Sequence, residues 1–510
     1  MKFDTYYPKG VALPLLLHII LIGSLLIAIT PNASAQTIAS SCVQYDARQK
    51  LIHISCKSIH LGDIYHKLNN ASILNTENIS VTKDGTQNGK VWILNAGIII
   101  EKDGGLIIDS TDTSWLKIIP TPTIQQGKQL VPLGNGNDSD TDNDEPVKDI
   151  QASALIISEN KSNIIKGNKE QQAILVSKNN GDNPNGIHIH GLLKIDSVKI
   201  TSWDPVKKDV IGFDFGKRAG EENTKSDYDT AEPRAFIRVS KDATGTTNIT
   251  NSELAYLGYS CSRCSGLSYY GGEGSVIKGN DIHHLLKGFY SNDMGNMVIE
   301  ENKFHDNYLY GIDPHTGTHD ITIRNNKVHD NNASAVICSK HCYNILIDGN
   351  EIYDNVERGI AFSINTTNST AINNYVHDER ICIGSNRDSN FNRIYNNTFS
   401  DCQFGVDFAD TSDNLLNHNK LENVYNGIVT RNITNKIENN SITNASNGIV
   451  FIVDPSSRYG KDTSPNYENI NGSSYENILR NFQKDNLFSN TTNLTSIKKL
   501  PITNTTMIDR

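Results

Sequence analysis

Residues 299–350 read IEENKFHDNYLYGIDPHTGTHDITIRNNKVHDNNASAVICSKHCYNILIDGN. An apolar residue, an asparagine, a second apolar residue and a His or Tyr with Asp recur about Asn302, Asn326 and Asn350. The unit continues outward, as IKGNDIHH before this stretch and as INNYVHD, IYNNTFSD, LNHNKLEN and IENNSITN after it. Its asparagines are Asn280, Asn302, Asn326, Asn350, Asn374, Asn397, Asn419 and Asn440, spaced 22, 24, 24, 24, 23, 22 and 21 residues apart. This period is too short for a helix–turn–helix repeat, and the leucine frame of leucine-rich repeats is absent. It fits one coil of a right-handed parallel β-helix, in which short strands alternate with tight turns. Alternation in NKFHD points Phe304 inward and Lys303 and His305 outward. Each repeat asparagine is expected to bond the asparagine of the next coil, satisfying buried polar groups along the stack.

Composition agrees with a thin solenoid. The 510 residues are only 37% hydrophobic, less than a compact α/β enzyme would carry. A net charge of -10 argues against nucleic acid, whose phosphates call for Lys and Arg patches. It leaves room for a local basic column that meets an acidic polysaccharide. No cofactor is implied, with calcium left open. The run Asp138–Glu145 resembles a calcium loop but lacks its glycine and spaced final glutamate, so it reads as a flexible acidic loop.

Lys2 and Lys9 precede an apolar run, Val11–Ile29, and then Ala33-Ser34-Ala35 before Gln36. This is an export segment, either a cleaved signal peptide or an uncleaved membrane anchor, and it predicts an extracellular or cell-envelope protein. Eight cysteines in an exported chain suggest disulfides, with zinc as the weaker rival. Cys42 and Cys56 fit a local hairpin. Cys261 with Cys264 and Cys338 with Cys342 are close pairs, and Cys382 and Cys402 lie almost one coil apart. Four parts are expected: 1–35 for export, 36–190 as a β-rich start with an acidic linker at 134–146, 191–452 as the β-helix, and 453–510 as a cap and tail. A monomer is expected.

Residues at equal phase in successive coils stack in columns. Thirteen or fourteen positions beyond the repeat asparagines lie Asp293, His315, Lys340 and Arg387, with Ile364 beside Asn365. Such a column suits carbon-acid chemistry on a uronate. A cation, Lys340 or Arg387, stabilises charge developing on the C6 carboxylate, and His315 is a base of suitable intrinsic pKa. A second column, His283, His305, His329 and His377, reads as stacked surface histidines.

Gly311-Ile312-Asp313-Pro314-His315 completes the string YGIDPH, which resembles the signature of periplasmic mannuronan (alginate) C5-epimerases. ELAYLGY (Glu253–Tyr259), GLSYY (Gly266–Tyr270) and KGFYS (Lys287–Ser291) have counterparts there, and ITSWDP (Ile200–Pro205) and PRAFI (Pro233–Ile237) match more loosely. The resemblance covers roughly 190–450. It implies that His315 removes the C5 proton with Asp313 beside it. It also implies that a cation one coil later neutralises the carboxylate; here Ser339-Lys340 stands where the family has Ser-Arg. Thr316-Gly317-Thr318 replaces the family's polar DRS, and Ser363-Ile364 replaces an Asp-Arg pair. Tyr310, Arg358, Asn365, Asp293 and Arg387 are the residues expected to touch sugar. The functions so defined are a polyuronate C5-epimerase, a lyase using the same proton abstraction, or a non-catalytic surface glycoprotein that binds polysaccharide.

Overall fold

The structure, a computed structural model, describes residues 42–77, 90–121, 184–212, 233–259, 261, 263–431, 435–453, 469–470 and 473–499. The expected export segment and the acidic run 138–145 lie outside them. Two sheets of 15 strands and one of 12 run the length of the described chain. Each coil contributes one strand to each sheet, and nearly every neighbour pair is parallel. This is a parallel β-helix, and the crossover rule makes it right-handed.

The expected boundary at 191 does not interrupt the sheets. In the first sheet Leu51–Ile54 pairs with Gly97–Ile100, which pairs with Gly186–Ile189 and so onward. At the other end Tyr475–Asp485 forms a helix, and Asn493–Lys499 adds the last strand of that sheet.

Each coil buries one apolar side chain per strand, so Ile299, Phe304, Ile312, Ile323 and Val328 are fully buried in one continuous core. The asparagine ladder forms as the repeat requires. Asn302 Nδ2 donates to Asn326 Oδ1 at 3.0 Å and Asn326 Nδ2 to Asn350 Oδ1 at 3.0 Å, and each backbone N–H also donates to the next carbonyl oxygen. The ladder runs from Asn280 to Asn440 and ends on Asn486. A second ladder, Asn307–Asn331–Asn355, stacks at the corner before the first sheet and closes on Glu379. The recurrent glycine has a steric cause: a Cβ on Gly311 would lie 2.7 Å from the Ala335 carbonyl oxygen of the next coil. After the third-sheet strand the corner takes Asp or Asn in the left-handed region, as at Asp306, Asp330 and Asp378, where these side chains are tolerated.

Candidate active site

The strand Ile312–His315 lies in the first sheet between Lys287–Asn292 and Val336–Ser339. Ile312 joins the core, so period-two alternation sends Asp313 and His315 to the outer face. Outward residues form three rows. One holds Lys287, Tyr310, Ser334 and Arg358, as the backbone bonds from Gly288 to Tyr310 and from Gly311 to Ser334 show. The next holds Tyr290, Asp313, Ile337, Ala361 and Gly384. The third holds Asn292, His315, Ser339 and Ser363.

This register corrects the column expected from sequence. His315 pairs with Asn292 and Ser339, not with Asp293 and Lys340. Thr316 is the residue in line with Asp293 and Lys340: Asp293 N–H donates to the Thr316 carbonyl, and Thr316 N–H to that of Ser339. Lys340 N–H donates to the Ser363 carbonyl, and Arg387 N–H to that of Ala409. The cause is a variable corner. From His283 to Tyr290 the chain takes one residue fewer than from His305 to Asp313, although both ends are paired in register. A fixed count from the repeat asparagine therefore slips by one.

The outer row holds left-handed residues: Asp293 (φ 49), Thr316 (φ 32), Lys340 (φ 59), Ile364 (φ 49) and Arg387 (φ 50). Asp293 is bonded to Lys241 at 2.6 Å, two coils earlier, so it anchors the rim of this face. Asn365 donates its N–H to the Arg387 carbonyl at 2.8 Å. Arg358 lies across the face: its Nε is 3.6 Å from where a Cβ would stand on Gly384.

Around His315 the contacts are specific. Its Nδ1 lies 2.7 Å from the Thr316 hydroxyl, so that with Nδ1–H donating, Nε2 is the basic nitrogen. The Tyr290 ring lies 5.5 Å from the imidazole, tilted by 37°, and Asn292 Nδ2 donates to the Tyr290 hydroxyl at 3.2 Å. Asp313, whose side chain is 1% exposed, is bonded by Lys287 Nζ at 3.1 Å, and the Lys287 side chain is 11% exposed. The Lys287 ammonium also lies 4.4 Å from the Tyr290 ring centre and 5.6 Å from that of Tyr310. Lys287 and Tyr290 escaped the count by phase because their link to the motif crosses coils. The signal was present in KGFYS, which falls on the same rung as YGIDPH.

Beneath this face, Cys338 and Cys342 are buried thiols, not the disulfide expected from their spacing. Cys338 points into the core from its strand. The Cys342 thiol donates to the carbonyls of Ser339 at 3.0 Å and Pro314 at 3.4 Å. Burial pushes both thiols above the ordinary range. The other three expected pairs, Cys42–Cys56, Cys261–Cys264 and Cys382–Cys402, are disulfides. Among the described residues no group of His, Cys, Asp and Glu is placed to hold a metal ion. No helix among them is long and apolar enough to cross a membrane.

A family model for a right handed beta helix region matches residues 238–341 and 315–460. A mannuronan C5-epimerase of Pseudomonas putida is 28% identical over 204 residues, which cover 37% of this chain and 35% of that protein. The match therefore spans about a third of that relative's length. Crystal structures of a single and a double mutant of a periplasmic alginate epimerase superpose with TM-scores of 0.50 and 0.51. They are 16% and 15% identical, over 89% of this chain and 87% of each of theirs. These likenesses show the fold: the chain is a right-handed parallel β-helix.

Proposed function

We propose that the chain is an exported C5-epimerase of a polyuronate such as mannuronan. One observation carries this reading. His315 stands on the outer face of a continuous sheet, unlike its rung partners Asn292 and Ser339, with the buried Lys287–Asp313 pair beside it. The similarity to a mannuronan C5-epimerase of Pseudomonas putida supports it, and three disulfides suit an oxidising compartment outside the cytoplasm.

The chemistry follows from the groups present. A uronate C5–H is a weak acid because its conjugate base delocalises onto the C6 carboxylate. Lys340, in the corner one coil beyond His315, is the cation assigned to that carboxylate, where it stabilises the charge that grows as the proton leaves. His315 Nε2 takes the C5 proton. A proton delivered to the opposite face of C5 completes the inversion. Arg358, Arg387 and Asn365 hold neighbouring sugars along the sheet, since adjacent coils lie about 4.8 Å apart, close to the length of one sugar unit.

The test is incubation with polymannuronate in deuterated water, followed by NMR. Deuterium at C5 with the polymer intact is the expected result, and His315→Ala abolishes it. Unsaturated chain ends absorbing in the near ultraviolet would instead establish a lyase. Binding of the polymer with neither signal would leave a carbohydrate-binding protein and overturn the proposal.

A further inference from the structure

Lys287 is the cation closest to the motif that the sequence reading did not assign. It begins the strand Lys287–Asn292, one coil before Ile312–His315. Its ammonium meets the Asp313 carboxylate at 3.1 Å and stands within cation–π reach of the Tyr290 and Tyr310 rings. With side chains 11% and 1% exposed, the pair is desolvated. Two such charges persist only because each compensates the other, and removing one partner leaves the other buried and uncompensated.

The pair is joined to the base by two routes. Asp313 and His315 alternate on one strand and share the outer face. Tyr290, under the Lys287 ammonium, lies against the His315 imidazole. Charged and titratable groups on the described elements around the imidazole include Asp293, in the corner of the coil before, and Arg358, across the face. Asp313 stands on its own strand, and Lys287 and Tyr290 on the strand before. Tyr310 occupies the preceding corner, and Lys340 the corner of the coil beyond. Cys338 and Cys342, on the inner side, are uncharged because burial raises both thiols.

We propose that Lys287 is a positioning residue of this site: through its pair with Asp313 it holds that carboxylate ionised, so that Asp313 and His315 together carry no surplus proton at neutral pH. This rests on the reading of His315 as the base. Without Lys287, the His315 imidazole and the uncompensated Asp313 carboxylate share one additional proton. Whichever of the two takes it, the competent form persists only at higher pH.

The experiment uses the full-length protein and the variants Lys287→Met, Asp313→Asn and their double variant. Deuterium exchange into polymannuronate is measured from pH 5 to 9, and the His315 imidazole is titrated by NMR with 13C-labelled histidine. For Lys287→Met the acid limb of kcat/KM is expected to move up by about one pH unit, with kcat falling more than KM changes. The double variant is expected to be no slower than Asp313→Asn alone, because Lys287 acts through Asp313. Multiplying losses in the double variant would overturn the proposal and place Lys287 on the substrate instead. An unmoved acid limb together with an unmoved imidazole titration would also overturn it. The titration needs no turnover. If the wild type fails to exchange deuterium while Lys287→Met still shifts the imidazole, the coupling stands and the epimerase reading falls. Circular dichroism and thermal melting of Lys287→Met exclude loss of fold as the cause.

Discussion

Two faces of the same solenoid carry histidine beside carboxylate, and they do so in opposite ways. On the third sheet His283, His305, His329, Tyr353 and His377 stack ring on ring, with centroids 4.9, 5.1, 4.7 and 5.0 Å apart. Three of these imidazoles bond the aspartate that follows them, at Asp306, Asp330 and Asp378. Within this stack burial opposes charge, but bonds to Asp281 and Asp306 outweigh it and raise His305, whereas burial lowers its neighbour His329. On the first sheet His315 bonds a threonine hydroxyl and stands among rung partners of other types. A repeated side chain has the same neighbours above and below and serves the stack. A side chain that breaks its own row has neighbours chosen for something else. In a solenoid, then, chemistry is sought where the repeat fails.

The sharpest way to break this comparison is to exchange roles between the faces. His315→Ala is expected to lower deuterium exchange by about 10³-fold, within the range of a general base. His329→Gln is expected to leave exchange within about twofold while lowering the melting temperature. Equal losses at both positions would erase the distinction between the two faces.

Next in size is the ladder beneath both. Asn326→Ala removes the bonds to Asn350 and to the Ile299 carbonyl and strips Asn302 of its acceptor. A loss of about 3 kcal/mol in urea unfolding is expected, from buried groups left unpaired. Exchange per folded molecule should not change.

Lys340→Met sharpens the first-sheet side. If its charge stabilises the carboxylate, kcat falls by about 10- to 30-fold, and undiminished turnover would remove Lys340 from the mechanism. The smallest effect concerns Glu379, which closes the second asparagine ladder. Burial pushes its carboxyl up to about 8, against the bonds from Asn355. Because its folded value lies above the unfolded one, its contribution is complete below about pH 4 and is lost as the pH rises through about 8. Glu379→Gln is thus expected to gain about 1 kcal/mol at pH 8 and nothing at pH 4, read from unfolding midpoints at the two pH values. The gain is partial because the Glu379 Oε2 site is buried without a hydrogen-bond partner, and a Gln amide there would be an unmet donor.

Coils, inward residues and the asparagine ladder were legible because each is restated every 21 to 24 residues, and repetition averages out local ambiguity. His315 and Asp313 were legible because YGIDPH is a local string. The neighbours of His315 were less so, since they depend on corner lengths that differ by one residue between His283–Tyr290 and His305–Asp313. Lys287 was hidden for the same reason: its partner lies 26 positions away and in another coil. The thiols misled because spacing tells nothing of direction. Cys338 faces the core, and Cys342 has two carbonyls within reach.

That second thiol ties together parts of the molecule which the chain order separates. Cys342 follows the corner that bears Lys340, and its bond to the Pro314 carbonyl reaches back to the residue just ahead of His315. A sulfur atom therefore moors the cation's loop to the base's strand from below. Slack in that mooring would let the distance between the two wander while every strand stayed in place, and the polymer would meet a site intact in composition but loose in span.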